Sequence, residues 1–433
     1  MDTTYLVEIR LGRTKWRIKQ DIASIAARFH LDEHIEQHPH VTIFGPLVLN
    51  PNATEGQLLE VIGWISGRFD PIPFMLDGWE KRKGMNGSVI AFAVRPSGPL
   101  IMLTRDIAEA LLPLCSSMNA WDPQPENKWF HVTVANHLDP DVAATVFYHL
   151  TGNPAQNTGR IVQLRDRLHS FIHGTNSCRA PEFAPVLLDE AGLRLTVMKG
   201  EEILAEYDFS KKEWLYEGHS HNEELWQNTL RAYRRAAGFE RRIATEPDSD
   251  DIYVISDLHL GHSNIIRYCS RPFLRSDVDE MDAVLIRNWN SVIGPDSQVF
   301  FLGDLRYGES ALPAQQYLKE LKGKITFISG NHDDCEPVGL KSTIIDYEEF
   351  RFLFIHDPDD APPAFDGWVI HGHHHNNNLH TYPFLDPAGR QINVSAETIG
   401  YVPISLREIC DCIRQYTGTG KTDPILLRYP HVS

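Results

Sequence analysis

Polar and apolar residues alternate through Tyr5-Leu6-Val7-Glu8-Ile9-Arg10-Leu11, which predicts an opening strand. From Lys15 to Phe29 the apolar positions move to Ile18, Ile22, Ile25 and Phe29, one face of a helix. Strands recur around Val41–Phe44, Ser88–Val94 and Val132–Val134. Leu193 to Phe209 reads as a hairpin turning at Lys199-Gly200-Glu201. An amphipathic helix, Glu223 to Phe239, follows, and then an acidic Pro/Ser stretch, Glu246-Pro247-Asp248-Ser249-Asp250-Asp251, that marks a boundary. Beyond it, apolar strands at Ile252–Ile255, Val299–Leu302, Ile325–Ile328, Phe352–Ile355 and Val369–Ile370 alternate with helices near Asp277–Trp289 and Leu312–Leu321. A last helix opens at Ser405 with Glu408 in a capping box. The pattern predicts α+β packing before the boundary and layered α/β packing after it. The expected domains are residues 1–217 and 251–433, joined by a helix and acidic junction over 218–250. Residues 153–183 fit no element.

Composition narrows the functional classes. At 433 residues the chain exceeds one ordinary core, and 42% apolar with 23% charged residues is ordinary for a soluble protein. No run of about 18 apolar residues appears, so no membrane partner is expected. No basic-then-apolar segment opens the chain, so a secretory signal is not expected either. The six cysteines are scattered without a CxxC pair, which implies structural thiols and a cytoplasmic location. A net charge of −17 excludes extended coating of nucleic acid and favours a small nucleotide or an RNA end as substrate. The oligomeric state is not legible.

Each strand of the second half ends in residues of metal-binding type. Asp257 and His259 follow the first, Asp304 the second, Asn331 and His332 the third, His356 the fourth, and His373 and His375 the fifth. Mixed carboxylate, amide and imidazole donors suit divalent ions such as manganese, iron or zinc. The motifs stand in order as Asp257-Leu258-His259, Gly303-Asp304, Gly330-Asn331-His332-Asp333, His356 and Gly372-His373-His374-His375. This resembles the calcineurin-like metallophosphoesterase superfamily. The resemblance implies an αββα sandwich holding two divalent ions, manganese foremost, with Fe2+, Zn2+ or Ni2+ as alternatives. It implies that Asp257, His259, Asp304 and His375 hold one ion. Asp304 then bridges to a second ion held by Asn331, His356 and His373, and His332 protonates the leaving oxygen or steadies the phosphate. Two cations about 3.5–4 Å apart lower the pKa of a bridging water and clamp phosphoryl oxygens. The chain departs from the family's GDxxD run at Tyr307, where substrate contacts are expected to differ. His262 has no assigned role, and His371, His374 and His380 read as structural or surface residues.

The first half contains His40-Val41-Thr42-Ile43 and His131-Val132-Thr133-Val134. On a strand, His40 with Thr42 and His131 with Thr133 would face one side while the valines and isoleucine face the core. Two imidazoles across one phosphate can act as base and acid, and two hydroxyls can hold its oxygens, without a metal. With the preceding helix, Gly45-Pro46 and the closing hairpin, these motifs resemble the 2H phosphoesterase superfamily, which includes RNA 2′,3′-cyclic phosphodiesterases and 2′-5′ RNA ligases. The resemblance implies a two-lobed domain without a cofactor that opens a 2′,3′-cyclic phosphate to a 2′-phosphate. The expected activity is therefore bifunctional: ring opening, then hydrolysis of the resulting phosphomonoester, or of a phosphodiester, at the metal site. Two rivals stay open. One is degradation of a cyclic or 2′-5′-linked oligonucleotide or an ADP-ribose cyclic phosphate. The other is an N-terminal nucleotide sensor regulating the metallophosphatase.

Overall fold

The computed structural model describes residues 3–31, 33–84, 86–152, 187–216, 222–237, 252–308, 311–333, 339–363 and 365–418. Residues 153–183 and the acidic stretch 246–251 lie outside them. The chain forms two compact units, Met1–Thr229 and Leu230–Ser433, divided within the helix Glu223–Ala236.

The first unit is built on one continuous antiparallel sheet. Its strands are β1 (Thr4–Arg10), β2 (His40–Leu49), β3 (Ile72–Gly84), β4 (Gly87–Pro96), β5 (Cys115–Ser117), β6 (His131–Leu138), β7 (Leu187–Gly192), β8 (Arg194–Lys199), β9 (Glu202–Asp208) and β10 (Glu213–Tyr216). Their order is β10-β9-β8-β1-β2-β6-β4-β3-β7, with β5 paired to β2. The expected hairpin is present as β8–β9, and β10 extends it by one strand. Apolar faces of the helices Lys15–Phe29, Glu55–Ser66, Gly98–Leu111 and Pro140–Thr151 fill the core through Ile18, Ile62, Leu103 and Phe147. Because β2 and β6 are adjacent at mid-sheet, the two His-x-Thr motifs meet there.

The second unit is a two-sheet sandwich. One sheet runs β13 (Lys324–Phe327), β12 (Gln298–Phe301), β11 (Ile252–Ile255), β19 (Ile404–Ser405), parallel except for β19. The other runs β14 (Ser342–Tyr347), β15 (Phe350–Ile355), β16 (Trp368–His371), β18 (Gln391–Asn393), β17 (Leu385–Asp386). Phe300 and Phe354 meet between the sheets with ring centroids 4.8 Å apart. The helix Val278–Val292 buries Met281, Val284, Leu285 and Trp289 in the same core. The helix Leu406–Gly418 buries Leu406, Ile409 and Ile413 there. Its expected capping box is formed: Ser405 Oγ accepts from the Glu408 amide at 3.1 Å, and Glu408 Oε2 accepts from the Ser405 amide at 3.1 Å.

Candidate active sites

In the second unit the chain must turn sharply as each strand ends. Five of the residues expected as ligands take left-handed backbone there: Asp257 (φ 60°), His259 (50°), Asp304 (60°), His373 (69°) and His375 (49°). Non-glycine residues in this region are strained, and such strain collects at functional sites. The motif glycines are there for close approach. A Cβ on Gly372 would collide with the side chains of Ser256 and Asp257, and one on Gly303, itself at φ 95°, with Gly330 and His356.

These turns bring the expected ligands together. His375 Nε2 lies 3.6 Å from Asp257 Oδ1, and His259 Nε2 lies 3.5 Å from Asp304 Oδ2. His356 Nε2 is 3.6 Å from the same Asp304 oxygen and 3.1 Å from Asn331 Oδ1, which His373 Nδ1 also approaches at 3.0 Å. Asp304 therefore stands between the Asp257–His259–His375 group and the His356–Asn331–His373 group. The donor set fits divalent ions on two observations. His259 is 2% exposed, yet neither of its ring nitrogens has a hydrogen-bond partner among the described residues. Burial, and then the neighbouring Asp257, push the Asp304 carboxyl up to about 6, so two close carboxylates await a positive charge. Asp257 with His259 and His375, and Asp257 with Asp304 and His356, form groups spaced to hold an ion.

Partners outside the motifs aim these imidazoles. His356 Nδ1 donates to the Leu302 carbonyl at 2.6 Å, which fixes the ring with Nε2 toward Asp304. His375 Nδ1 meets Glu397 Oε2 at 2.9 Å. Glu397 is in turn paired with Arg271 at 2.7 Å, and Arg271 donates to the backbone carbonyls of Leu258 and Asp257. Although burial works against it, Arg271 and His375 hold the Glu397 carboxyl at about 2. Asp333 accepts from the amides of Asp304, Leu305 and Gly330, and so ties two motif turns together. His332 donates only its backbone amide to Asp304 Oδ1, at 2.9 Å, and its ring packs edge-on against Tyr307. Of the residues read as structural, His371 is buried on β16 and His374 stacks on Tyr382 at 3.7 Å.

In the first unit, antiparallel pairing sets Val41 opposite Val132. That register carries His40 across from Thr133 and Thr42 across from His131. Val41, Ile43, Val132 and Val134 are buried, whereas His40, Thr42, His131 and Thr133 are only half-buried, as the alternation predicts. Both imidazoles are pinned the same way. His40 Nδ1 donates to the His38 carbonyl at 2.8 Å, and His131 Nδ1 donates to the Trp129 carbonyl at 3.0 Å. A carbonyl can only accept, so each Nδ1 carries a proton, and each Nε2 is the nitrogen left to exchange one with substrate. Their surroundings differ. His131 stacks on Trp129 at 3.7 Å, and burial lowers its pKa to about 4. His40 Nε2 instead faces the buried Glu8 carboxylate at 3.6 Å. Arg82 lies over the Trp129 ring at 4.5 Å, so cationic charge is close at hand.

Two family descriptions match: the 2′-5′ RNA ligase superfamily over residues 14–169, and the calcineurin-like phosphoesterases over residues 251–407. The chain carries one domain similar to each of these two phosphoesterase families. An uncharacterized protein of Methanocaldococcus jannaschii is 48% identical over 166 residues, covering 38% of this chain and 92% of the relative. The gene 66 protein of Mycobacterium phage L5 is 36% identical over 85 residues, covering 19% of this chain and 40% of that protein. Among solved structures, the protein of unknown function AQ665 from Aquifex aeolicus is similar over 38% of this chain and 99% of its own, at 24% identity and a TM-score of 0.28. E. coli LigT complexed with 3′-AMP is similar over 50% of this chain and 94% of its own, at 12% identity and a TM-score of 0.25. The two-domain phosphoesterase has no helix among its described residues long and apolar enough to cross a membrane.

Proposed function

We propose that the first unit opens the 2′,3′-cyclic phosphate of an RNA end or nucleotide, and that the second hydrolyses the 2′-phosphomonoester so formed. The observation that carries the first step is the facing register of the two His-x-Thr motifs, with each Nδ1 pinned to a carbonyl. His131 is neutral near pH 7 and takes the proton of the attacking water at Nε2. His40, whose Nε2 faces the Glu8 carboxylate at 3.6 Å, gives a proton to the departing 3′ oxygen. The P–O3′ bond breaks as the P–O bond to water forms, leaving the 2′-phosphate. Thr42 and Thr133 hold the non-bridging oxygens.

In the second unit, Asp257, His259, Asp304 and His375 would hold one divalent ion, and Asp304, Asn331, His356 and His373 another, with manganese the proposed metal. Bound there, the ions supply an activated water and a clamp on the phosphoryl oxygens. His332 reaches the phosphate and protonates the leaving oxygen. Glu397 and Arg271 hold His375 and the Asp257 turn in place.

Chelation separates the two steps. With EDTA present, a 2′,3′-cyclic nucleotide should accumulate as its 2′-phosphomonoester, and His40→Ala or His131→Ala should stop that accumulation. Asp257→Ala should mimic the chelator. Ring opening that vanishes in EDTA and survives in His40→Ala would assign it to the metal site and leave the first unit as a nucleotide sensor.

A further inference from the structure

We propose that Tyr307, His262 and Tyr268 form a subsite beside the metal ligands that receives a flat aromatic leaving group, the nucleoside of a nucleoside monophosphate. This rests on the phosphoesterase reading of the second unit. The loops that supply Asp257, His259 and Asp304 also carry these three residues outward. The His262 amide donates to the His259 carbonyl at 3.1 Å, and the Tyr307 amide to the Leu260 carbonyl at 3.2 Å. Tyr268 closes the short helix Ile265–Tyr268 that follows.

Their rings form a connected series that starts at the reacting centre. His332 packs against Tyr307 with centroids 4.4 Å apart, Tyr307 against His262 at 4.7 Å, and His262 against Tyr268 at 6.2 Å. The inner end of the series is half-buried, and the two tyrosines are 41% and 47% exposed. One exposed aromatic residue means little. Two of them flanking a histidine, with the His262 and Tyr307 rings centred 5.4 and 6.4 Å from that of His259, offer π surface where a substrate's non-phosphate portion would lie. The histidine adds a polar observation. His262 Nδ1 is buried and has no hydrogen-bond partner among the described residues. A buried polar atom without a partner at a site mouth is one that a ligand can satisfy. A base or ribose edge carries both donors and acceptors, whereas glycerol or a simple alkyl group presents no ring to stack.

Among the described residues, the Tyr307 side chain does not hold the loop by hydrogen bonding. Asp282 does, by accepting from the Gly261 amide at 3.0 and 2.9 Å and from the Tyr317 hydroxyl at 3.2 Å. Tyr317, by contrast with Tyr307, is buried. Truncating Tyr307 therefore removes π surface without removing the loop's anchor.

Base–aromatic stacking loses about tenfold in affinity on truncation, within a broad range. The test compares kcat/KM for a nucleoside 2′-monophosphate and for glycerol 2-phosphate in the metal-loaded full chain, in wild-type protein and in Tyr307→Ala and Tyr307→Phe. Wild type should prefer the nucleoside ester. Tyr307→Ala should reduce that preference about tenfold through KM, and Tyr307→Phe should retain it. No preference in wild type, or a preference untouched by Tyr307→Ala, overturns the subsite and leaves the phosphoesterase reading standing. Turnover of neither ester by wild type overturns that reading, and the subsite with it.

Discussion

Asp304 is the residue on which both halves of the proposed metal cluster converge, and the same convergence should make it a liability when no metal is bound. Its carboxyl is 2% exposed and lies beside Asp257, and burial followed by that like charge lifts its pKa from 3.8 to about 6. A carboxyl whose folded pKa exceeds its unfolded one binds more protons in the folded state between those values. Stability is then fully present below about pH 4 and is lost as pH rises through about 6. The gap corresponds to about 3 kcal/mol, an upper figure for the cost of holding Asp304 ionised in the metal-free protein. Asp304→Asn keeps an acceptor for the His332 amide and cannot ionise. In EDTA at pH 8 the variant should therefore be more stable than wild type by up to about 3 kcal/mol, and by nothing at pH 4. Urea denaturation read by pulsed hydrogen exchange of the Val278–Val292 and Gln298–Phe301 segments would isolate the second unit. Buried His371, pushed down to about 4, titrates across the same range with the opposite sign. The difference between the two proteins at each pH, not the profile of either, is thus the quantity to compare. Manganese at about 1,000 times its Kd should reverse the order, since it adds about 4.1 kcal/mol to the protein that can bind it. A variant that is less stable than wild type at pH 8 in EDTA, or a difference that does not change with pH, would refute the reasoning.

Two further outcomes test the assigned roles. His332→Ala should keep its full metal content by elemental analysis, because the residue touches Asp304 through its amide, and should lose about 10²–10⁴ in turnover; metal loss would show that the ring itself is a ligand. In EDTA, ring opening should hold its rate down to about pH 4–5, because burial keeps His131 neutral to about 4; an acid limb near the ordinary imidazole value of about 6.5 would show that His131 is not the base.

Much of the candidate metal site was legible because the placement of its side chains is local. A ligand that must stand at a strand's end follows directly after an apolar run, so Ile252–Ile255 announces Asp257 and Val299–Leu302 announces Asp304. The His-x-Thr motifs were legible for a similar reason, since the two-residue period of a strand writes both faces into four letters. The helices Glu55–Ser66, Gly98–Leu111 and Pro140–Thr151 are additions from the structure. Their signals stood in the sequence: Thr54 and Gln57 form a capping box, Ser97 and Asp139 cap the other two, and each of those caps has a proline at the start of its helix.

What was not legible depends on partners far apart in the chain. Nothing near His375 indicates that Glu397 will orient it, or that Arg271 will connect Glu397 back to the Asp257 turn, because that ring of contacts closes over 126 positions between Arg271 and Glu397. The symmetry of the two His-x-Thr motifs hides a similar difference. Their sequences are almost interchangeable, yet one imidazole is stacked and desolvated on Trp129 while the other faces a carboxylate delivered by β1. Trp129 lies two residues before its histidine and could have been noticed. Glu8 could not, since only the pairing of β1 with β2 brings it opposite Thr42 and within reach of His40. Motif chemistry is thus written in neighbouring letters, whereas the division of labour between two like residues is written in the sheet order, which decides what each of them faces.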